Sequence, residues 1–97
     1  MGDITKENIQ AASEGLKGVA NEIRLTVLCH LLDGPMTVSE LLEITGAEQT
    51  NLSKHLSKMR ALGLLESRKQ GVFIQYRIIN PAWKGVIGAL KNIYCSD

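Results

Sequence analysis

Two short helical patterns separated by a tight turn are the feature that most constrains the fold of this chain. Thr37 and Glu40 have the spacing of a capping box, which predicts the start of a short helix that ends at Gly46. A second helical pattern follows and stops at Gly63. Its apolar stripe consists of Leu52, Leu56, Met59 and Leu62. A short helix, a tight turn and a second helix are typical of a helix-turn-helix.

The segments on either side complete the predicted fold. Leu65 to Lys69 and Val72 to Ile79 alternate in polarity, which predicts two strands around a Gln70-Gly71 turn. Helical patterns cover residues 4–17 and 21–32 before this region and Pro81 to Tyr94 after it. We therefore predict a mainly α fold with a β-hairpin wing. It is a winged helix-turn-helix whose fourth helix is the recognition helix, in a single domain spanning residues 1–97.

The size of the chain and its last helix together predict a homodimer. A chain of 97 residues can bury only a thin core. The last helix is apolar over an arc too wide for one small protomer to cover. The apolar residues of that helix are Trp83, Val86, Ile87, Leu90, Ile93 and Tyr94. We expect it to form the dimer interface together with the first helix. The apolar runs are too short for a signal peptide or a membrane span, which predicts a cytoplasmic protein with no membrane partner.

Positive charge is concentrated around the predicted recognition helix and wing. Between Glu48 and Arg77, six basic residues accompany two acidic ones, a net charge of +4, whereas the whole chain carries +1 and the remainder therefore −3. Charge alone fits a DNA-binding surface and an ordinary solvated surface equally well. The polar face of the recognition helix favours DNA. It has no acidic residue between Gln49 and Arg60 and carries short hydrogen-bonding side chains near its start.

The segment from Val19 to Ile78 resembles the ArsR/SmtB family of bacterial transcriptional repressors. The matching parts are Asn21 to Leu25, Val38 to Leu41, Gly46, Gln49, Ser53-Lys54-His55-Leu56, Leu62-Gly63-Leu64, Gly71 and Tyr76. No single motif is sufficient, but their order and spacing together are specific. The resemblance implies a homodimer that represses by occupying double-stranded operator DNA and releases it when an inducer binds.

The resemblance also implies which residues contact DNA. Gln49 and Thr50 match base-contacting positions, Ser53 and Lys54 match backbone contacts, and Arg68 to Gln70 match the wing. The complete predicted set is Gln49, Thr50, Asn51, Ser53, Lys54, His55, Arg68, Lys69 and Gln70. Glu48 departs from the family, which usually has a small hydroxyl residue there. His55 lies at the border of the apolar stripe, so packing of the helix and a phosphate contact are both open.

Cys29 and Cys95 are the predicted sensing residues. The two familiar metal sites of the family are absent, since Met36 to Glu40 contains no thiol and Pro81 to Tyr94 contains neither aspartate nor histidine. On its own, Cys29 suits a core position in an apolar helical stripe. The pair resembles the dithiol subgroup of the family, which senses persulfides and redox changes. This implies that a persulfide or oxidant links the two sulfurs and lifts repression. The residues do not distinguish persulfide from peroxide.

Three other functions compete with this interpretation. A metal(loid)-responsive repressor would need ligands that the sequence does not group. A winged-helix module that binds protein would bury the face from Gln49 to Arg60 against its partner. An enzyme is not expected, because the chain shows no nucleophile–base pair, metal site or phosphate-binding loop. No cofactor is predicted.

Overall fold

The computed structural model describes residues 2–95 and has the predicted winged helix-turn-helix order. The elements are α1 (Lys6–Val19), α2 (Glu22–Leu31), β1 (Met36–Thr37), α3 (Val38–Thr45), α4 (Gln49–Ala61), β2 (Leu65–Gln70), β3 (Phe73–Ile78) and α5 (Pro81–Tyr94). The fold class is confirmed, with α4 as the second helix of the helix-turn-helix and β2–β3 as the wing. None of the helices within residues 2–95 combines the length and apolarity that crossing a bilayer requires.

The ends of α3 are set by local chemistry, as predicted. The Thr37 hydroxyl accepts a hydrogen bond from the Glu40 N–H at 3.2 Å, and the Glu40 carboxylate accepts one from the Thr37 N–H at 2.9 Å. This reciprocal pair is the capping box. At the other end Gly46 adopts φ 64°, a left-handed conformation that side chains with a Cβ disfavour. The tight turn into α4 therefore follows from two short-range signals.

The sheet has one strand more than the sequence pattern predicted. β1 pairs antiparallel with β3, Met36 opposite Tyr76, so the strand order is β1-β3-β2. A strand of two residues is too short to show an alternating pattern, which is why it was not predicted. The predicted Gln70-Gly71 turn was wrong by one residue. Gln70 pairs with Phe73, and the turn is formed by Gly71, at φ 64°, and Val72.

The core is small and lies among α2, α3, α4, the strands and α5. Its fully or nearly buried side chains are Val19, Val27, Leu28, Leu31, Leu41, Leu52, Leu56, Met59, Leu64, Leu65, Ile78 and Ile87. Three of the four residues in the predicted α4 stripe belong to it, and Leu62 packs against it. Burial of this stripe determines which face of α4 points outward.

Most of the apolar stripe of α1, which consists of Ile9, Ala12, Leu16 and Val19, stays exposed in the protomer. Ile9 and Leu16 are each 56% exposed, whereas Val19 is buried together with Gly15 and Gly18. A Cβ at residue 15 would lie 2.8 Å from the Trp83 ring, so glycine is what lets α1 approach α5 so closely. The exposed part of this stripe is available to the dimer interface that the sequence predicts for α1 and α5.

Candidate DNA interface and thiol groove

The outward face of α4 presents the predicted DNA-binding side chains to solvent. Leu52, Leu56 and Met59 are buried on the opposite side. Five of the predicted residues on this helix are exposed: Gln49, Thr50, Asn51, Ser53 and Lys54. Because the first N–H groups of a helix carry partial positive charge, the start of α4 is suited to a groove lined by phosphates.

Glu48 is the N-cap residue of α4, and its side chain makes no capping hydrogen bond. A carboxylate at this end of a helix interacts favourably with the helix dipole. The departure from the family's usual hydroxyl residue therefore has a local electrostatic reason within the protomer.

The recognition helix and the wing face one open groove of about 470 Å³. Gln49 and Ser53 line it from α4, while Phe73, Ile74 and Tyr76 line it from β3. This arrangement brings Gln49, a predicted base-contacting residue, and Ser53, a predicted backbone contact, beside the wing. The exposed apolar side chains at the wing tip were not singled out by sequence reasoning, although Val72, Phe73 and Ile74 form an unbroken apolar run there.

The basic residues of the wing are arranged around one carboxylate. The Arg68 guanidinium lies 3.8 Å from the Glu66 carboxylate, and Arg77 on the neighbouring strand forms an ion pair with the same group. Lys69 and Gln70 are exposed next to the turn. Glu66 therefore offsets part of the positive charge counted along the sequence and holds Arg68 beside Arg77.

His55 differs from the other predicted DNA-binding residues because it turns toward the protein. It is half-buried, and its Nδ1 lies 3.1 Å from Nη1 of Arg24 on α2. Burial lowers the pKa of the His55 imidazole, and the Arg24 and Lys58 cations lower that pKa further. Of the two interpretations that the sequence left open, this contact favours helix packing.

The two thiols line a common groove between α2 and α5. Cys29 is half-buried on α2, Cys95 is exposed at the end of α5, and neither forms a disulfide. The groove has a volume of about 390 Å³ and is also lined by Leu25, Leu90 and Tyr94. Burial raises the pKa of the Cys29 thiol, the nearby Cys95 thiol raises that pKa further, and Lys91 acts in the opposite direction. The two thiols therefore share one groove where the end of α5 lies beside α2.

Within residues 2–95, no three His, Cys, Asp or Glu side chains are grouped so as to hold a metal ion. Cys29, His30 and Cys95 all line the thiol groove, but within the described residues they are not grouped closely enough to hold a metal ion. The Nδ1 of His30 lies 2.8 Å from the Thr26 carbonyl oxygen, to which it donates a hydrogen bond. That bond places a proton on Nδ1, so in the neutral ring Nε2 is an acceptor.

Comparison with known proteins decides the family. The profile of the bacterial regulatory proteins of the arsR family matches residues 21–67. The HTH-type transcriptional regulator YgaV of Escherichia coli K12 is 39% identical over 92 residues, which cover 90% of this chain and 93% of YgaV. The chain belongs to the ArsR family. As a member, it is a DNA-binding transcriptional regulator and not an enzyme.

Two solved structures extend the similarity of this ArsR-family protein to the whole fold. Reduced HlyU from Vibrio cholerae N16961 superposes with a TM-score of 0.89 at 36% identity, over 94% of this chain and 96% of that one. The transcriptional repressor BigR from Xylella fastidiosa superposes with a TM-score of 0.82 at 28% identity, over 97% of this chain and 100% of that one. The predicted family and fold are therefore confirmed.

Proposed function

We propose that this ArsR-family protein is a homodimeric repressor that releases operator DNA when a persulfide or oxidant links Cys29 and Cys95. The observation that carries the proposal is the shared groove. Cys29 and Cys95 are 66 positions apart in the chain, yet the fold brings both thiols to one apolar groove. The similarity to a repressor, BigR, and to a regulator studied as a reduced protein, HlyU, supports it.

The chemistry balances with a small persulfide, R–S–SH, as the oxidant. A cysteine thiolate attacks the outer sulfur, forms Cys–S–SH and expels the thiolate RS⁻. The second cysteine thiolate then attacks the inner sulfur, forms the disulfide and expels HS⁻. If both cysteines first accept a sulfur, condensation of the two persulfides releases H₂S and leaves a trisulfide, which spans a wider gap than a disulfide. A peroxide reaches the disulfide through a sulfenic acid and water.

The link affects DNA through the dimer. The apolar side chains left exposed on α1 and α5 of one protomer form the proposed interface with the second. Because Cys95 lies at the end of α5, a bond to α2 constrains the helix on which the partner packs. The spacing of two recognition helices must match two half-sites about one helical turn apart, so a small change in dimer geometry weakens binding. Couplings of this kind are typically about 1–3 kcal/mol, or roughly 5- to 150-fold in affinity.

The test is DNA release by the wild-type chain. A duplex is first selected from a random library with reduced protein, and its affinity is then measured before and after treatment with a low-molecular-weight persulfide. We expect affinity to fall by roughly 5- to 150-fold and to return with a reductant. Mass spectrometry should show an intramolecular bridge between the two cysteines. Unchanged affinity of the bridged protein would contradict the proposal, and failure to select any duplex would favour the protein-interaction module.

We further propose that α4 reads bases through Gln49 and phosphates through Lys54. Gln49→Ala should lower affinity for the selected duplex by about 1–3 kcal/mol and relax base preference, because the amide hydrogen bonds only to particular base edges. Lys54→Ala should lower the affinity for the selected and the scrambled duplex by the same factor and make affinity less dependent on salt, because the Lys54 contact with phosphate is electrostatic. Fluorescence anisotropy titrations at several salt concentrations would measure both effects. An equal loss of affinity for the selected and the scrambled duplex in Gln49→Ala would show that this residue does not read bases.

A further inference from the structure

Arg24 joins three helices at the back of the recognition helix. Its Nη1 lies 3.1 Å from His55 Nδ1 on α4, and its Nη2 donates to the Lys17 carbonyl of α1 at 3.2 Å. Its backbone N–H donates to the Asn21 side chain, which caps α2, at 3.1 Å. The Arg24 Nε is buried and has no hydrogen-bond partner among residues 2–95. A guanidinium held this way has little freedom to move, so its two outward contacts tie α1 and α4 to α2.

The contact determines the protonation state of His55. Arginine can only donate hydrogen bonds, so His55 Nδ1 must accept, and the ring is the neutral tautomer with its proton on Nε2. The charged groups that act on the ring are Arg24 from α2 and Lys58 from α4, and both are cations. On α1, the Lys17 carbonyl accepts a hydrogen bond from Arg24, whereas the Lys17 ammonium forms an ion pair with Glu14 at 3.4 Å. The surroundings of the ring therefore favour its neutral, accepting form.

We propose that Arg24 is a positioning residue for DNA recognition, which holds α4 in its reading orientation through the hydrogen bond to His55. The proposal depends on DNA recognition by α4 but not on the thiol chemistry. His55 lies at the edge of the buried stripe, next to Lys54 on the exposed face. The apolar stripe sets which face of α4 is buried, and a polar contact at its edge fixes the rotation of α4 about its own axis more closely, because a hydrogen bond depends on direction and apolar burial does not. Rotation would move Gln49 and Ser53 within their groove beside the wing.

A pH dependence follows from the contact. Protonated histidine has no hydrogen-bond acceptor, so protonation of His55 breaks its bond to Arg24. It also places a third cation beside those of Arg24 and Lys58. The ordinary pKa of histidine is about 6.5, and in the folded protein the pKa of His55 is lower. The contact is therefore intact above about pH 6.5 and is lost as the pH falls through the lower, folded-state value. When the contact is lost, the preference for the selected duplex over a scrambled one should fall. Non-specific attraction to phosphates should not weaken, because protonation of His55 adds positive charge.

The experiment measures the affinity ratio between selected and scrambled duplexes at several pH values. Arg24→Leu and His55→Leu should each lower the ratio about tenfold at neutral pH, the effect of losing roughly one charge-assisted hydrogen bond, and should flatten its pH profile. The double variant should lose no more than either single one, because the two residues act through one contact. Lys17→Met is the matched control, since it removes a neighbouring cation but keeps the carbonyl that binds Arg24.

Two results would overturn the proposal. One is a folded Arg24→Leu protein, judged by circular dichroism, with the wild-type ratio; the other is additive losses in the double variant. Should Arg24→Leu fail to fold, His55→Gln decides, because its amide oxygen can accept from Arg24 at every pH. A ratio in His55→Gln that stays near the wild-type value at neutral pH as the pH falls supports the proposal, whereas a ratio as low as that of His55→Leu, or a wild-type pH profile, contradicts it.

Discussion

Replacing either cysteine by serine should leave the affinity for the selected duplex equal to that of the reduced wild-type protein. The same substitution should abolish the release of DNA by persulfide. Cys29 and Cys95 line a different groove from Gln49 and Ser53 on the exposed face of α4, so neither substitution removes a predicted DNA contact. Each single variant keeps one thiol, which can still accept a sulfur but has no partner with which to form a bridge. The expected effect is loss of the full response, roughly 5- to 150-fold in affinity, in both variants.

The measurement pairs a DNA titration with mass spectrometry of the same treated sample. Single variants should carry a persulfide or an adduct on the remaining cysteine and still bind DNA. Thr26→Val, which changes a non-thiol residue lining the same groove, is the control and should respond like the wild type. Release of DNA by either single variant on persulfide treatment would show that release does not need a bridge between the two cysteines, and would contradict the proposal.

Placing an aspartate on the apolar face of α5 should separate the dimer and remove most of the operator affinity. Ile93 is 66% exposed in the protomer, so Ile93→Asp leaves the core of its own chain intact. In the proposed dimer the same residue is covered by the partner, and a buried unpaired carboxylate is strongly unfavourable there. A monomer binds only one half-site, and loss of bivalent binding costs roughly 10²- to 10⁴-fold in affinity.

Light scattering would report the mass of each variant, and titration with the selected duplex would report its affinity. Asn92→Asp introduces the same charge at the neighbouring, exposed position on α5 and is the matched control. It should remain dimeric and bind DNA. A wild-type protein that is monomeric at micromolar concentration, or a monomeric Ile93→Asp with undiminished operator affinity, would rule out the proposed interface.

Helix boundaries and fold class could be predicted from the sequence because their causes are local. The capping box of Thr37 and Glu40 is formed by residues three apart, and Gly46 ends α3 through its own backbone conformation. The stripe of Leu52, Leu56 and Met59 identifies the buried face of α4 by spacing alone, and by exclusion the exposed one. Each signal lies within a few consecutive residues, where chain connectivity already places the interacting groups together.

Partners across the fold could not be predicted in this way. Three features depend on which surfaces meet after the chain collapses: the pairing of β1 with β3, the close approach of α1 to Trp83 at Gly15, and the contact between Arg24 and His55. Periodicity shows that a face is apolar but not what covers it, and a histidine at the edge of a stripe has the same local pattern whether it faces a phosphate or a guanidinium. The sequence by itself determined the helices, the wing and the exposed reading face. Only the tertiary structure decided that His55 meets Arg24 and that one groove holds both thiols, because these contacts join residues far apart in the chain.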